Sequence, residues 1–210
     1  LQAPQAVAVL SEAQLRMAAI VLAAGRSTRM GAQNKLLADL GGKPMLRRTV
    51  EAALASRAAP VLVVTGHMEA EVSAALTGLD VTLVPNPDYA TGLASSLKAG
   101  IRAVPDSFDG VVVLLGDMPR VTAGHIDGLI AAFGSDARVP IVVPLHEGRH
   151  GNPVLWPADL FPKLLQLEGD SGAKRLIAAH PARVVEVDLG TDAIFADVDT
   201  PEALAQMRGS

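Results

Sequence analysis

Short apolar runs alternate along this chain with segments whose apolar residues recur at helical spacing, and this alternation limits the folds open to it. Residues 18–23, 61–64 and 111–115 have the length and composition of buried strands, and residues 45–56 have the spacing of an amphipathic helix. Strands that alternate with helices form right-handed crossovers. We therefore predict an α/β fold with a mostly parallel central sheet and helices on both faces. Such sheets bind ligands beyond the carboxyl ends of their strands.

The composition excludes several classes of protein. The chain has 210 residues, half of them apolar, which suits one large domain with an extensive core. A net charge of −4 and an aromatic content of 3% provide neither a basic surface nor a stacking platform, so we do not expect nucleic-acid binding. The absence of cysteine excludes disulfides and thiolate metal sites.

The segment before the first apolar run has a different character from the rest. We expect residues 1–16 to be an N-terminal extension of unknown role, followed by a single domain over residues 17–210. The extension has no basic leader and is not typical of a signal peptide. No apolar run approaches the ~20 residues that a membrane-spanning helix needs. We expect a soluble, cytoplasmic protein that does not enter membranes.

The first apolar run leads into a segment suited to binding anions. Gly25 and Gly31 allow turns that present backbone N–H groups, while Arg26, Arg29 and Lys35 supply positive charge. An ordinary solvated turn has a similar composition. The segment matches neither the P-loop pattern G-x-x-x-x-G-K-[ST] nor the dinucleotide pattern G-x-G-x-x-G. These residues favour a phosphate site of another kind.

Carboxylates follow later apolar runs. Asp117 comes just after the run 111–115, where the edge of the sheet is expected. One carboxylate beside a phosphate site suits Mg²⁺, which completes its coordination shell with phosphate oxygens and water, although a turn capped by Asp117 has the same sequence. Asp197 and Asp199 precede Pro201, which is typical of a helix start. Either aspartate could cap that helix or share the magnesium with Asp117.

The sequence does not have the residue patterns of a histidine metal pair or of a serine or cysteine nucleophile. His146 and His150 are four residues apart, but a glycine-containing turn lies between them, so we interpret both as loop residues. The sequence has no G-x-S-x-G motif for a serine nucleophile and no cysteine for a thiol nucleophile.

Six motifs occur in a fixed order along the chain. They are L-A-A-G-x-S-x-R-M-G-x-x-x-K at 22–35, G-K-P-x-L at 42–46, G-D-M-P at 116–119, G-N-P-V at 151–154, G-D-x-G at 169–172 and D-V-D-T-P-E at 197–202. Together they resemble the molybdenum cofactor nucleotidyltransferases over residues 17–207. These enzymes transfer a nucleoside monophosphate from CTP or GTP to the phosphate of molybdopterin or its molybdenum form and release pyrophosphate. The resemblance implies a Rossmann-like nucleotidyltransferase fold.

The resemblance also implies a role for individual residues. The implied catalytic residues are Arg26, Lys35 and Asp117. The implied nucleotide-binding residues are Leu22, Ala23, Ala24, Gly25, Arg26, Lys35, Gly66, Asn86, Gly92 and Ser96. The implied substrate-binding residues are Asn152, Gly169, Asp170 and Gly172, and the implied ligands of Mg²⁺ are Asp117 and Asp199.

The Leu-Ala-Ala-Gly tetrapeptide resembles the cytidylyltransferase branch, because guanylyltransferases usually have glycine at the position of Ala24. We hypothesise that this methyl group narrows the floor beneath the base, which a pyrimidine tolerates better than a purine. Two positions depart from the family pattern, since relatives commonly have Asp at position 34 and many have His at position 152. Asn34 makes the phosphate loop less acidic, and Asn152 changes a position that faces the pterin.

The resemblance and the residues agree on a mechanism. The nucleophile is a phosphate oxygen that is already ionised near neutral pH, so no general base is needed. We expect CTP and the molybdenum cofactor as substrates, with a molybdoenzyme or its chaperone as a further partner. Alternatives are transfer from GTP, a sugar- or alditol-phosphate acceptor, and a non-catalytic carrier or chaperone of the cofactor.

Overall fold

The computed structural model describes residues 15–26, 34–134, 136, 139–169, 172–196, 204 and 207. Within them the strands are β1 (Met17–Leu22), β2 (Val61–Thr65), β3 (Thr82–Pro85), β4 (Gly110–Leu115), β5 (Ile141–His146), β6 (Arg149–His150), β7 (Val154–Pro157) and β8 (Val184–Asp188). The α-helices are α1 (Met45–Leu54), α2 (Glu69–Ala75), α3 (Leu93–Ala103), α4 (Ala123–Gly134), α5 (Phe161–Leu164) and α6 (Gly172–Ala179). None of these helices is long and apolar enough to cross a membrane.

The strands form one sheet in the order β3-β2-β1-β4-β7-β5, and β6 and β8 both pair with β5. Strands β1 to β4 are mutually parallel, as is the pair β5 and β8. Strand β7 runs antiparallel to β4 and β5. The prediction of a mostly parallel sheet is confirmed, and the inserted antiparallel strand is a feature that alternation of elements does not indicate.

Strand β1 lies at the centre of the core because its side chains alternate between two covered faces. The odd-numbered residues from Met17 to Val21 pack with buried side chains of α1, α2 and α4. The even-numbered residues from Ala18 to Leu22 pack with α3, α5 and α6. A strand covered on both sides has no polar face, which explains its continuous apolar run.

Helix α3 approaches the sheet closely at Gly100. A Cβ at this position would lie 2.7 Å from Cγ2 of Ile20, a distance that side chains do not tolerate. Leu97 and Ile101 fill the contact on either side and are 4% and 3% exposed. This packing fixes where α3 begins, beyond the carboxyl end of β3.

The interpretation of His146 and His150 as loop residues is wrong. His146 ends β5 and His150 ends β6, on the two sides of a hairpin. The two turn residues, Glu147 and Gly148, have φ angles of 48° and 73°. Positive φ at both turn positions matches the twist of the flanking strands, so pairing extends to the turn.

Candidate active site

The carboxyl ends of β1 to β4 bring together residues that lie far apart in the sequence. The chain leaves β1 at Ala23, whose N–H donates to the carbonyl of Val64 at 2.9 Å. Leu22 at the end of β1 accepts from the N–H of Gly116 at 2.9 Å. Asp117 therefore lies beside the first loop, as the strand order requires. We call Gly25, Lys35, Gly66, Asn86 and Asp117 the strand-end site.

Lys35 and Asp117 form an ion pair in this site. Nζ of Lys35 lies 2.6 Å from Oδ2 of Asp117, and the two side chains are only 15% and 14% exposed. Partial burial shields the pair from solvent and strengthens the attraction relative to a surface pair. The structure thus joins the predicted phosphate-binding lysine to the predicted metal-binding carboxylate. Arg26 is exposed on the chain that leaves β1.

A buried polar network connects the end of β3 to α3. Asn86 is 4% exposed, and its Nδ2 donates to Oγ of Ser95 at 2.9 Å and to Oγ of Ser96 at 3.0 Å. Its Oδ1 accepts from the N–H of Asp88 at 3.1 Å. The amide is thereby satisfied at both ends, which holds the start of α3 at Gly92 against the end of β3.

Gly66, Ala24 and Tyr89 pack together with no room for a further side chain. A Cβ at Gly66 would lie 2.7 Å from Cβ of Tyr89 and 2.9 Å from Cβ of Ala24. The next residue, His67, donates its N–H to the carbonyl of Ala24 at 3.3 Å, and its ring centroid lies 6.0 Å from that of Tyr89. Ala24 is 2% exposed, so its methyl group contacts protein. The narrowing of the floor beneath a base by this methyl group stays a prediction, and the methyl group would act on a base through its neighbours Gly66 and Tyr89.

A cavity of about 520 Å³ adjoins the strand-end site. Leu115 and Met118, which flank Asp117 in the sequence, contribute to its wall, as do the predicted acceptor residues Asn152 and Gly169. The rest of the wall is largely apolar and includes the buried Trp156. No acidic side chain of the described residues lines it, whereas the cations Arg149 and Lys174 do. We call this space the apolar cavity.

Backbone contacts fix the loops around the apolar cavity. The N–H of Gly151 donates to the carbonyl of Pro144, and the N–H of Asn152 donates to that of Ile194, both at 3.0 Å. On the other side, the carbonyl of Gly169 accepts from the N–H of Ala94 in α3 at 3.0 Å. Gly169, the first residue of the G-D-x-G motif, therefore contacts the same helix that the Asn86 network holds.

Several predicted site residues lie outside the described part of the chain. They are Arg29, Gly31, Asp170, Asp197 and Asp199. Gly172 is described as the first residue of α6. The assignment of Asp199 to a metal stays a prediction.

The described residues contain no group of three or more His, Asp or Glu side chains that could hold a metal ion. A single carboxylate at Asp117 still fits Mg²⁺ when phosphate oxygens of a bound nucleotide supply other ligands. The donor set of the strand-end site is therefore compatible with a cation that enters together with a triphosphate.

Sequence reasoning missed Tyr89 beside Gly66 and the cations Arg149 and Lys174 at the apolar cavity. The guanidinium of Arg149 lies 4.5 Å from the ring centroid of Phe195, a cation–π contact that holds it at the cavity. A signal for both cations was present, because each lies within four residues of a predicted acceptor position, Asn152 or Asp170. Tyr89 likewise lies three residues from each of two predicted nucleotide-binding positions, Asn86 and Gly92.

The chain matches the family described as MobA-like NTP transferase domain over residues 19–184. It belongs to this family. The match includes β1, the loop that follows it, and β2 to β7, so it covers the strand-end site and most of the wall of the apolar cavity.

Two relatives of this MobA-like protein extend over nearly its whole length. Purine catabolism protein PucB of Bacillus subtilis is 31% identical over 205 residues, which cover 90% of this chain and 94% of PucB. Molybdenum cofactor cytidylyltransferase of Escherichia coli is 29% identical over 184 residues, which cover 87% of this chain and 91% of that protein.

Solved structures share the fold. Rv0371c of Mycobacterium tuberculosis has a TM-score of 0.83 at 26% identity, with 93% of this chain and 99% of that chain covered, and it is also known as a complex with manganese. A nucleotidyl transferase of Methanothermobacter thermautotroptrophicus has a TM-score of 0.78 at 26% identity, with 92% and 96% covered. The Rossmann-like nucleotidyltransferase fold is therefore confirmed.

Membership of this family makes the chain a nucleotidyltransferase with a nucleoside triphosphate as donor. The expectation of an enzyme is confirmed, and the alternative of a non-catalytic carrier is not supported. Nucleotidyltransferases of this fold commonly use divalent metals, in keeping with the manganese complex of Rv0371c.

Proposed function

We propose that this nucleotidyltransferase transfers CMP from CTP to the phosphate of molybdopterin or its molybdenum form and releases pyrophosphate. The observation that carries the proposal is the apolar cavity beside Asp117, which has Arg149 and Lys174 in its wall and no described acidic residue. An acceptor with a flat ring system and an anionic group fits such a wall. The similarity to the cytidylyltransferase of Escherichia coli supports the choice of donor.

The strand-end site would bind the donor through its triphosphate. Arg26, Lys35 and the backbone amides after Gly25 supply positive charge and N–H donors for phosphate oxygens. Asp117 would hold Mg²⁺ together with Asp199. Leu204 supports the second assignment, because it is 8% exposed and packs with Leu40 and Met45, close in sequence to Lys35. Bound there, Mg²⁺ would neutralise part of the negative charge of the phosphates.

Transfer would then need alignment more than proton chemistry. An oxygen of the acceptor phosphate attacks the α-phosphorus of CTP, a new P–O bond forms, and the bond to the bridging oxygen breaks as pyrophosphate leaves with the electron pair. A phosphate monoester has a second pKa of about 6, so the attacking oxygen is ionised without a base. Lys35 and Arg26 would stabilise the charge that develops on the transferred and leaving groups.

Selection of the base would involve the cluster of Ala24, Gly66 and Tyr89. Because Ala24 is 2% exposed, its methyl group would act on a base through the position of Gly66 and the ring of Tyr89. Removal of that methyl group would let these neighbours settle closer to β1 and widen the space above them. The variant Ala24→Gly should therefore gain activity with GTP, and no gain would contradict this role.

A sugar or alditol phosphate fits the apolar cavity less well. Such acceptors carry many hydroxyl groups, and an apolar wall would leave these groups without hydrogen-bond partners. Of the groups in the wall, Asn152 and the three basic side chains Arg149, His150 and Lys174 are the polar ones that a hydroxyl could reach. This mismatch favours the ring-bearing acceptor.

The deciding experiment measures pyrophosphate release with Mg²⁺ and each of the four nucleoside triphosphates, with and without molybdenum cofactor. Stimulation that requires both CTP and the cofactor is the expected result. Equal or faster release of pyrophosphate with GTP would indicate a guanylyltransferase instead of a cytidylyltransferase. Release that depends on a sugar phosphate and not on the cofactor would overturn the proposed acceptor.

A further inference from the structure

We propose that Lys35 and the divalent cation compete for the carboxylate of Asp117, so that the cation binds well only when a triphosphate draws the lysine away. The inference rests on the proposed function, since it takes Asp117 as the metal ligand. It also predicts an order of binding. The ammonium of Lys35 pairs with Asp117 in the free enzyme, and the metal takes its place when the nucleotide binds.

The ion pair itself is the first observation. Nζ of Lys35 is 2.6 Å from Oδ2 of Asp117, and both side chains are about 85% buried, since they are 15% and 14% exposed. At this distance the ammonium occupies the space next to the oxygen where a cation ligated by Asp117 would lie. Two positive ions so close together repel strongly in a partly desolvated site. Metal and ammonium cannot share this oxygen at low energy.

Hydrogen bonds anchor the chain on both sides of the pair, so an exchange of partners at Asp117 would have to come from rotation of the Lys35 side chain. Lys35 begins a short 3-10 helix whose preceding residue, Asn34, is 4% exposed and accepts from the N–H of Leu36 at 3.1 Å. Before Asp117, the carbonyl of Gly116 accepts from Oγ1 of Thr49 at 3.3 Å. An ammonium on a four-carbon stem can swing away from such fixed ends.

A triphosphate gives the displaced ammonium a new anionic partner. Without nucleotide, the metal must break the ion pair, and the positive charge of Lys35 is then less well balanced by negative charge. With nucleotide, Lys35 moves to a phosphate oxygen while Asp117 accepts the metal. Binding of metal and nucleotide is then positively coupled, and the coupling is reciprocal. This arrangement prevents a bare cation from occupying the site before the substrate arrives.

Nucleotide-free binding of Mn²⁺, followed by electron paramagnetic resonance of the free ion, tests the competition directly. Lys35→Met removes the ammonium and keeps the length of the stem, so we expect it to bind Mn²⁺ about tenfold or more tightly than wild type. Lys43→Met is the matched control, because it also removes an ion-paired ammonium, but one that lies 2.7 Å from Oε2 of Glu51 and does not pair with Asp117. It should change the affinity by less than about threefold.

The proposal is overturned if Lys35→Met binds Mn²⁺ no more tightly than the wild type does, or if Lys43→Met shows an equal gain. Asp117→Asn in the Lys35→Met background should abolish the gain. If that double variant keeps the tight site, Asp117 is not the metal ligand and the metal assignment in the proposed function fails as well. Circular dichroism confirms folding, and Lys35→Gln replaces Lys35→Met if the latter does not fold.

Discussion

The strand-end site and the apolar cavity adjoin each other, yet they are built from different parts. The strand-end site consists of backbone and polar side chains that already satisfy one another, such as Asn86 with Ser95 and Ser96 or Lys35 with Asp117. The apolar cavity is an open space of about 520 Å³ with few polar groups in its wall. The first arrangement suits a charged ligand of fixed geometry, and the second suits recognition by shape.

The difference also follows the order of the chain. The strand-end site uses the loops after β1 to β4, which belong to the parallel half of the sheet. Much of the wall of the apolar cavity comes from β5 to β7 and α6, where the antiparallel strand interrupts the regular alternation. If the two regions bind nucleotide and acceptor as proposed, the nucleotide site can stay the same while the later segments change with the acceptor. Variants that affect one region and not the other test this division.

Asp117→Asn should have the largest effect. Loss of the carboxylate removes the proposed metal ligand, so we expect pyrophosphate release to fall by about 10³-fold or more, with the thermal unfolding midpoint little changed. Asp192→Asn is the control, because Asp192 also forms an ion pair, with Arg120 at 2.6 Å, but on an exposed surface. Near-normal turnover of Asp117→Asn would show that Asp117 does not hold the metal, which would contradict a metal site among these residues.

Gly25→Ala and Gly66→Ala should separate ligand contact from protein contact within the strand-end site. A Cβ at Gly25 meets no described atom within 4 Å, whereas one at Gly66 would meet Tyr89 at 2.7 Å. We expect Gly25→Ala to raise the KM for the nucleotide about tenfold with an unchanged unfolding midpoint, because the methyl group would obstruct the approach of phosphates. Gly66→Ala should instead lower the midpoint.

The Gly66 result has its own check. Tyr89→Gly removes the Cβ and Cγ atoms that the new methyl group would meet at 2.7 and 2.8 Å, so Gly66→Ala should cost less stability in the Tyr89→Gly background than in the wild type. An unchanged KM in Gly25→Ala would mean that the nucleotide does not approach this part of the loop.

Lys174→Ala should affect the apolar cavity alone. Loss of this cation should raise the KM for an anionic acceptor about five- to tenfold and leave the KM for the nucleotide unchanged. Arg175→Ala is the matched control, since Arg175 is the next residue of α6 but does not line the apolar cavity. Kinetics with each substrate varied in turn provide both constants. An equal rise of the acceptor KM in both variants would show that the positive charge attracts the acceptor in general and that Lys174 does not contact it.

The smallest effect is expected outside both regions, at Asp159. Arg183 donates hydrogen bonds to both carboxylate oxygens, at 2.7 and 2.9 Å, and holds the pKa of Asp159 below its ordinary value of 3.8. A lowered folded-state pKa stabilises the fold above that ordinary value, and the stabilisation is lost as pH falls through the lowered pKa.

Asp159→Asn should therefore lower the free energy of unfolding at pH 7 by no more than about 1 kcal/mol, because the carboxylate is largely exposed. Turnover should not change. Urea unfolding at pH 7 and near pH 2.5 checks the sign, since the difference between variant and wild type should shrink at the acid pH. A difference that grows on acidification would contradict the role of the ion pair.

The regular half of the molecule was predictable because local and tertiary requirements agree there. The apolar run at 18–23 reads as a buried strand and is β1, since a central parallel strand is covered on both faces. Glycine and charge after that run indicated an anion site, and parallel strands necessarily bring Asn86 and Asp117 to the same edge as the first loop. The region around the apolar cavity was less predictable, because β7 enters the sheet in the opposite direction and β5 and β6 form a hairpin with its turn at Glu147.

The α/β class and the edge of the sheet where polar residues gather follow from local spacing and from the rules of parallel sheets. The family follows from the resemblance of six ordered motifs. Three features come from tertiary packing: the ion pair of Lys35 with Asp117, the burial of Ala24 beside Gly66 and Tyr89, and the position of Arg149 and Lys174 in the wall of an apolar cavity. Such contacts join residues separated by up to 82 positions, such as Lys35 and Asp117, and depend on side-chain packing that no local pattern encodes.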